Sequence, residues 1–116
     1  MTTIAENTDL VTLINVFTVE PSNQQELVDL LARATETSVR DVPGFVSAAL
    51  HRSVDGTRVT MYAQWQSAEH YRHYQSMRSD PIAAPYVEQA LAIASFDPRM
   101  YEVVRVVAVP SRPDAD

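Results

Sequence analysis

One short run of the chain, residues 59–66 with the sequence VTMYAQWQ, most constrains the fold. Apolar side chains fall at alternate positions in it, which predicts a β-strand with one apolar face. That face carries Val59, Met61, Ala63 and Trp65, the last of which is the single tryptophan. Ser67 follows and is a good N-cap, so we expect a helix with Tyr71 and Tyr74 to begin there. Strand and helix together can form one wall of a flat, aromatic-lined pocket.

The composition excludes several kinds of site. The 116 residues include no cysteine and no lysine, which excludes disulfides, thiolate nucleophiles, cysteine metal ligands and lysine Schiff bases. The two glycines, Gly44 and Gly56, are too few for a Gly-rich phosphate loop. The net charge of −6 argues against sequence-independent binding to nucleic acid. We therefore expect neither a nucleotide cofactor of the Gly-rich loop type nor a nucleic-acid partner.

The length fits one domain, which would gain stability from oligomerisation. Apolar runs are too short to span a membrane, and the polar N-terminus lacks a signal-peptide pattern. We therefore expect a cytoplasmic protein with no membrane partner. Its expected parts are a flexible N-terminus over residues 1–9, a folded domain over 10–109 and a disordered tail over 110–116.

Sequence periodicity predicts the element order β-α-β-β-α-β. Strands are expected at residues 10–19, 45–53, 59–66 and 100–109, with an Asp55-Gly56 turn between the second and third. A first helix is expected from a capping box at Ser22 to about Arg40. Its apolar stripe would consist of Leu27, Leu30, Leu31, Ala34 and Ser38. A second helical region should run from Ser67 to about Met77 and restart at Asp80-Pro81.

This order is the split βαβ arrangement of ferredoxin-like folds. Such an antiparallel sheet has helices on one face only, yet the first and last predicted strands are apolar on both faces. The uncovered face therefore needs a partner. We predict an α+β ferredoxin-like domain that forms a homodimer by packing sheet against sheet.

Polar residues on the predicted elements allow two interpretations each. Asn15, among apolar neighbours on the first strand, is either a partner-bonded strand amide or a polar group aimed into a pocket. His51, in the alternation with Phe45, is either a hydrogen-bonded strand residue or an acid–base group of the pocket. His70 and His73 are close on one helix, but two histidines alone do not make a metal site, and we predict none.

Aromatic residues are concentrated in one part of the sequence, between residues 62 and 86. Within 25 positions the chain carries Tyr62, Trp65, Tyr71, Tyr74 and Tyr86, with Arg72 and Arg78 close by. Packing of helix on sheet would by itself explain such a cluster. The same rings would also suit a flat phenolic ligand, with arginine as the partner of an anionic group. The residues alone leave the function open between these readings.

Four stretches resemble the antibiotic biosynthesis monooxygenase family, whose members are dimeric ferredoxin-like proteins. They are INVFTVEP at residues 14–21, DVPGF at 41–45, HRSVDGTRVTMYAQWQS at 51–67 and EHYR at 69–72. Within that family the chain is most similar to the cofactor-free, quinone-forming oxygenases of aromatic polyketide pathways, the actinorhodin and nogalamycin types. The resemblance covers about residues 10–107.

The resemblance implies an enzyme that oxidises an anthrone-like polyketide intermediate to a quinone with molecular oxygen, using no metal or flavin. It implies that Asn15 and Trp65 hold substrate and oxygen, and that Tyr71 and His51 handle protons. Further substrate contacts are expected from Met61, Tyr62, Arg72, Tyr74 and Tyr86.

Met61 departs from the family pattern, since the quinone-forming members have an asparagine four residues before the tryptophan. Methionine cannot usefully hydrogen-bond to an oxyanion or a peroxide. The main alternative is therefore a non-catalytic or cyclase-like member that binds a polyketide. A haem-degrading monooxygenase is a third possibility, but that branch needs an axial helix histidine where this chain has Pro85.

Overall fold

The structure is a computed structural model that describes residues 2–6, 8–37, 39–76 and 84–110. The helices and strands are β1 (Val11–Val19), α1 (Gln24–Thr37), β2 (Phe45–Arg52), β3 (Arg58–Trp65), α2 (Ala68–Ser76), α3 (Ala84–Ile93) and β4 (Ala94–Tyr101). Short 3-10 turns at Pro21–Asn23 and Val39–Asp41 flank α1. The predicted β-α-β-β-α-β order is confirmed, and its second helical region has two parts.

Four antiparallel strands form one sheet in the order β2-β3-β1-β4. The Asp55-Gly56 turn joins β2 to β3 as predicted, and Gly56 has a φ of +84°, which favours glycine. The Asp55 carboxylate accepts hydrogen bonds from the Thr57 N–H at 3.0 Å and from the Ser53 and Thr57 hydroxyls, each at 2.7 Å. With helices packed on the sheet, the chain is an α+β ferredoxin-like domain.

The helices cover one face of the sheet, here called the inner face. The predicted stripe of α1 is buried at Leu27, Leu30, Leu31 and Ala34. One core cluster joins leucines of this stripe to Phe17, Val19 and Val59. A second cluster, further along the same two central strands, consists of Leu13, Ala63, Trp65 and Tyr71. Met61 packs against both clusters and so marks the middle of the inner face.

The opposite, outer face carries a buried polar group. Gln64 is 5% exposed; its Nε2 donates to the Thr3 carbonyl oxygen at 2.6 Å, and its Oε1 accepts from the Ser47 hydroxyl at 2.9 Å. These bonds satisfy the side-chain amide and hold the N-terminal segment against the sheet.

The last strand differs from the prediction. We expected it at residues 100–109 after a break at Pro98, whereas β4 spans Ala94–Tyr101 and includes Pro98. Proline is tolerated here because β4 is an edge strand, which does not need every N–H for pairing. Since β4 follows α3 without a loop, no turn signal marks where it begins.

Some predicted features lie outside the described residues. They are Ser38 of the apolar stripe, the end of the second helix at Met77, Arg78, the restart at Asp80-Pro81, and residues 111–116 of the tail. Among the residues that the structure does describe, no helix has both the length and the apolar character that crossing a membrane requires.

Candidate active site

A cavity lies between the inner face of the sheet and the helices. The empty space along its walls, part of which is open solvent, is about 720 Å³. Its aromatic lining residues are Phe17, Phe45, Trp65, Tyr71, Tyr74 and Phe96. Among the described residues, no charged side chain lines it. A concave, apolar space with a few polar groups is typical of small-molecule sites.

Trp65 is at the centre of the aromatic wall and is 1% exposed. The Tyr74 ring stacks on it, with ring centroids 5.5 Å apart and an interplanar angle of 29°. The rings of Phe45 and Tyr71 meet it edge-on, each at 5.5 Å. Neighbouring rings fix the orientation of the indole, so the aromatic wall is pre-formed.

Asn15 and Met61 form the middle of the cavity floor. They lie directly opposite each other in the β1–β3 pair, and both side chains line the cavity. Alternation along the strands predicted that Asn15 and Trp65 would each lie on the apolar face of their strand, and the structure brings both to one cavity.

Two polar atoms in this wall are buried without a hydrogen-bond partner in the described part of the chain. They are the Asn15 Oδ1, an acceptor, and the Trp65 Nε1, a donor. Leaving such an atom unpaired costs about 1–3 kcal/mol, so it calls for an explanation. A ligand with one donor and one acceptor would supply the missing partners.

Ser67 sets the start of α2 and thereby the position of the tyrosines. Its hydroxyl accepts a hydrogen bond from the His70 N–H at 3.1 Å and lies 2.6 Å from His70 Nδ1, which confirms the predicted cap. The first turns of α2 then direct Tyr71 and Tyr74 into the cavity. Tyr71 is 7% exposed, whereas Tyr74 is half-buried.

His51 is not at the cavity, which corrects the expectation of a pocket acid–base group. The pairing of β2 with β3 shifts between Phe45 and Ser47, as in a β-bulge. Phe45 is opposite Trp65 on the inner face, but His51 is opposite Thr60 and exposed on the outer face. One extra residue between Phe45 and Ser47 reverses the alternation of side chains along β2. Phe45 and His51, which simple alternation places on one face, therefore lie on opposite faces.

Three other expected substrate contacts also lie away from the cavity lining. Tyr62 is on the outer face, opposite Ile14 of β1. Arg72 is exposed on α2. Tyr86 is half-buried and packs against the core cluster of Phe17. Of the predicted contacts, Met61 and Tyr74 do line the cavity.

Sequence reasoning missed several lining residues. Phe17 is two positions after Asn15 on the same strand face, a signal that could have added it. Thr35, next to the apolar stripe of α1, also lines the cavity. Its hydroxyl donates to the Leu31 carbonyl oxygen at 2.9 Å, so this polar group is satisfied within the helix. Leu91 and Phe96 had no usable signal, because β4 was expected elsewhere.

Comparison with known proteins identifies the family of the chain. Residues 10–81 match the family described as antibiotic biosynthesis monooxygenase. Tetracenomycin-F1 monooxygenase of Streptomyces glaucescens is 43% identical over 103 residues, which cover 89% of each chain.

Solved structures show the same fold. The monooxygenase from the gene ActVA-Orf6 of Streptomyces coelicolor, in complex with nanaomycin D, has a TM-score of 0.69 at 32% identity and covers 87% of this chain and 92% of that chain. SnoaB, a cofactor-independent oxygenase from Streptomyces nogalater, has a TM-score of 0.69 at 24% identity, with 86% and 98% covered. The second likeness shows the fold alone. By its sequence match and its relatives, the chain belongs to the antibiotic biosynthesis monooxygenase family and is a monooxygenase.

Proposed function

We propose that this monooxygenase works without a cofactor and oxidises an anthrone-like aromatic polyketide intermediate to a quinone with molecular oxygen. The observation that carries the proposal is a pair of polar atoms, Asn15 Oδ1 and Trp65 Nε1, which lie in the wall of an aromatic cavity and have no hydrogen-bond partner among the described residues. The relatives support it, since one is a tetracenomycin-F1 monooxygenase and another binds nanaomycin D.

An anthrone can supply all the electrons that this reaction needs. Loss of a proton from the ring methylene gives a delocalised anion, and oxygen adds to that carbon to form a peroxide. A second proton then leaves the carbon as the O–O bond breaks and water is released. One oxygen atom stays as the quinone carbonyl, and the other leaves in water. No external reductant is required, so the protein need supply only positioning, anion stabilisation and proton transfer.

The cavity residues suit these three tasks. The Trp65 N–H would donate to the oxygen on which the anion's charge collects, a contact that strengthens as charge develops. The Asn15 side-chain oxygen would accept from a substrate hydroxyl and fix its orientation. We assign proton transfer to Tyr71, whose ring is buried beside Trp65 at 5.5 Å. Tyr74, stacked on the indole, would hold the substrate plane.

Oxygen uptake tests the proposal. Metal-stripped protein mixed with emodinanthrone should consume oxygen and form quinone, seen by its absorbance, faster than buffer alone. Trp65→Phe keeps a ring but removes the N–H, and we expect a fall in kcat of roughly a hundredfold. Tyr62→Phe is the matched control, because it removes a polar atom from an aromatic residue of β3 on the outer face. Quinone formation at the buffer rate would contradict the proposal.

A polyketide-binding protein without oxygenase activity is the second candidate, and Met61 favours it because a thioether cannot stabilise a peroxide. Quenching of Trp65 fluorescence by an anthrone, without oxygen uptake, would identify that function.

Haem degradation is disfavoured, since none of the three histidines lines the cavity. Titration with haem should therefore produce no ligand-shifted Soret band.

We propose further that two copies pack through their outer faces. Apolar side chains of the C-terminal segment after β4 are exposed, at 85% for Val104, 86% for Val107 and 74% for Val109. Ile14 and Val16 add apolar surface on the outer face of β1. Light scattering should give twice the 13.0 kDa chain mass. Val107→Asp should shift it to the monomer, and a monomeric wild type would contradict the packing.

A further inference from the structure

We propose that the Met61 thioether is an oxygen acceptor for hydroperoxides bound in the cavity, so that a peroxide of the substrate converts Met61 to its sulfoxide. The inference rests on the function proposed above, because that reaction forms the peroxide. It gives this intermediate a second fate and the chain a modification site. The oxidants that the site takes are hydroperoxides of aromatic or other apolar ligands.

Met61 lies beside the position at which a substrate would be held. It is directly opposite Asn15 in the β1–β3 pair, and both side chains line the cavity. Side chains in such a cross-strand pair are close neighbours, with Cβ atoms about 4.5–5.5 Å apart. A ligand group that donates to the Asn15 side-chain oxygen is therefore within reach of the methionine sulfur.

The proposed binding mode also orients the peroxide. The Trp65 N–H holds the oxygen on which the anion's charge collects, and the methylene carbon of an anthrone is across the central ring from that oxygen. The peroxide therefore forms on the ring edge that points away from Trp65. Met61 is four residues from Trp65 on the same face of β3, about 13 Å along the strand. A substrate held at both Trp65 and Asn15 thus directs its peroxide toward the row of Asn15 and Met61.

A thioether cannot stabilise a peroxide by hydrogen bonding, but it can reduce one. The sulfur lone pair attacks the terminal oxygen of the C–O–O–H group, and the O–O bond breaks. Sulfur gains that oxygen and is oxidised to the sulfoxide, while the oxygen left on carbon takes the proton and becomes a hydroxyl. Hydroperoxide and thioether thus give an alcohol and a sulfoxide without any other reactant. This step competes with the loss of water that gives the quinone.

Exposure to solvent alone predicts that a different methionine is oxidised. Of the two methionines that the structure describes, Met100 is 37% exposed and does not line the cavity, whereas Met61 is half-buried and does. An oxidant in free solution should therefore react first with Met100. Preferential reaction at Met61 requires an oxidant that binds in the cavity, where proximity favours the transfer.

The sulfoxide would change the floor of the cavity. Met61 packs against both core clusters, so oxidation places a polar group between two apolar ones. We therefore expect an enzyme that slowly loses activity as it turns over.

Peptide mass spectrometry tests the site without turnover. The protein is treated with a substoichiometric amount of cumene hydroperoxide, an apolar aromatic hydroperoxide, and digested with trypsin. Cleavage after arginine leaves Met61 in residues 59–72 and Met100 in residues 100–105, and fragment spectra distinguish Met61 from Trp65 in the first peptide. We expect Met61 to be oxidised roughly tenfold faster than Met100. Emodin, the quinone of emodinanthrone, should protect Met61 alone.

Hydrogen peroxide is the matched control oxidant, because it has no apolar part to bind in the cavity, and it should oxidise Met100 first. In protein unfolded by guanidinium chloride, cumene hydroperoxide should oxidise the two residues at similar rates. Oxidation of Met100 ahead of Met61 by cumene hydroperoxide in the folded protein, or no protection of Met61 by emodin, would overturn the proposal.

Turnover under isotopically labelled oxygen traces the transferred atom. Emodinanthrone oxidised in the presence of catalase should leave the label in the Met61 sulfoxide and little of it in Met100. The rate should fall from its initial value as this sulfoxide accumulates. Met61→Leu, which keeps a similar apolar volume, should not show the fall, and Met100→Leu should show it as wild type does.

Quinone formation with no label on Met61, or an equal fall of the rate in Met61→Leu, would overturn the proposal. If no quinone forms above the buffer rate, the proposed function fails instead. The result with cumene hydroperoxide then decides on its own whether Met61 is an oxygen acceptor, because that reaction does not depend on turnover.

Discussion

Met61 lies directly opposite Asn15 across the β1–β3 pair, and both side chains form the floor of one cavity. The family resemblance implies an amide at the Met61 position in quinone-forming members, whereas this chain carries a thioether. The hydrogen-bonding capacity of the floor is therefore confined to Asn15. In the proposed reaction, Asn15 and the Trp65 N–H therefore supply the hydrogen bonds to the substrate, and Tyr71 transfers the proton.

Met61→Asn is expected to keep or raise oxygenase activity. The new amide would add a donor opposite Asn15, and we expect kcat to change between no effect and about a tenfold increase. Oxygen uptake with an anthrone measures it. Because Met61 packs against both core clusters, the same variant should lower the free energy of unfolding by about 1–2 kcal/mol. A severe loss of kcat in folded protein would show that the thioether has its own role.

Asn15→Ala should lower the oxygenase activity without lowering the stability of the fold. The side-chain oxygen has no partner in the described part of the chain, so its removal should leave the free energy of unfolding unchanged or slightly raised. Loss of the contact to substrate should lower kcat by roughly a hundredfold. Thermal unfolding and oxygen uptake on the same sample make the comparison. Near-full activity would remove Asn15 from the site.

Gly44→Ala should destabilise the protein for two reasons. Gly44 has a φ of +88°, and an added Cβ would overlap the His70 ring. We expect a loss of roughly 2–4 kcal/mol in the free energy of unfolding. Gly56→Ala is the control, since Gly56 has a similar φ of +84° but its Cβ would meet Pro21 at an ordinary 3.4 Å. It should cost only about 1–2 kcal/mol.

His70→Gly should recover part of the Gly44→Ala loss, because it removes both the ring and the Cβ that the new methyl meets. A double-mutant cycle should give a coupling of about 1–2 kcal/mol. Coupling near zero would mean that the backbone conformation, and not the histidine, makes glycine necessary at position 44.

Asp55 should contribute an acid-sensitive part of the stability. Hydrogen bonds from the Thr57 hydroxyl, the Thr57 N–H and the Ser53 hydroxyl lower the pKa of its carboxyl from 3.8 to about 2. A carboxyl with a lower pKa in the folded state stabilises the fold above about pH 4, and this contribution is lost as pH falls toward 2. Asp55→Asn should therefore lower the Tm at neutral pH, and the difference from wild type should narrow between pH 4 and 2. A difference independent of pH would contradict this.

The central strands and α1 were predictable because their own periodicity decides which side is buried. Leu27, Leu30, Leu31 and Ala34 recur at helical spacing and are all buried. Asn15 and Trp65 fall on apolar strand faces by simple alternation, which is why both reached the cavity as expected.

The predictions were wrong where a local irregularity interrupted the regular alternation of side chains along a strand. A register shift after Phe45 moved His51 to the other face of the sheet, and no residue type in β2 marks that shift. A proline usually ends a strand, which is why the sequence predicts β4 only after Pro98, but an edge strand accepts this proline. The predicted position of β4 is therefore too late in the chain, and Phe96 could not be predicted as a residue of the cavity lining.

The most direct test of the account is a single turnover of a preformed complex. Metal-stripped protein and an anthrone are mixed without oxygen until Trp65 fluorescence shows the cavity occupied, and then mixed rapidly with oxygenated buffer. The account predicts quinone formation from the bound anthrone much faster than from free anthrone, with a rate lowered in Asn15→Ala at equal occupancy and in Trp65→Phe, which lacks the fluorescent reporter, at saturating anthrone. Quinone formation at the rate of free anthrone, with the cavity occupied, would contradict it.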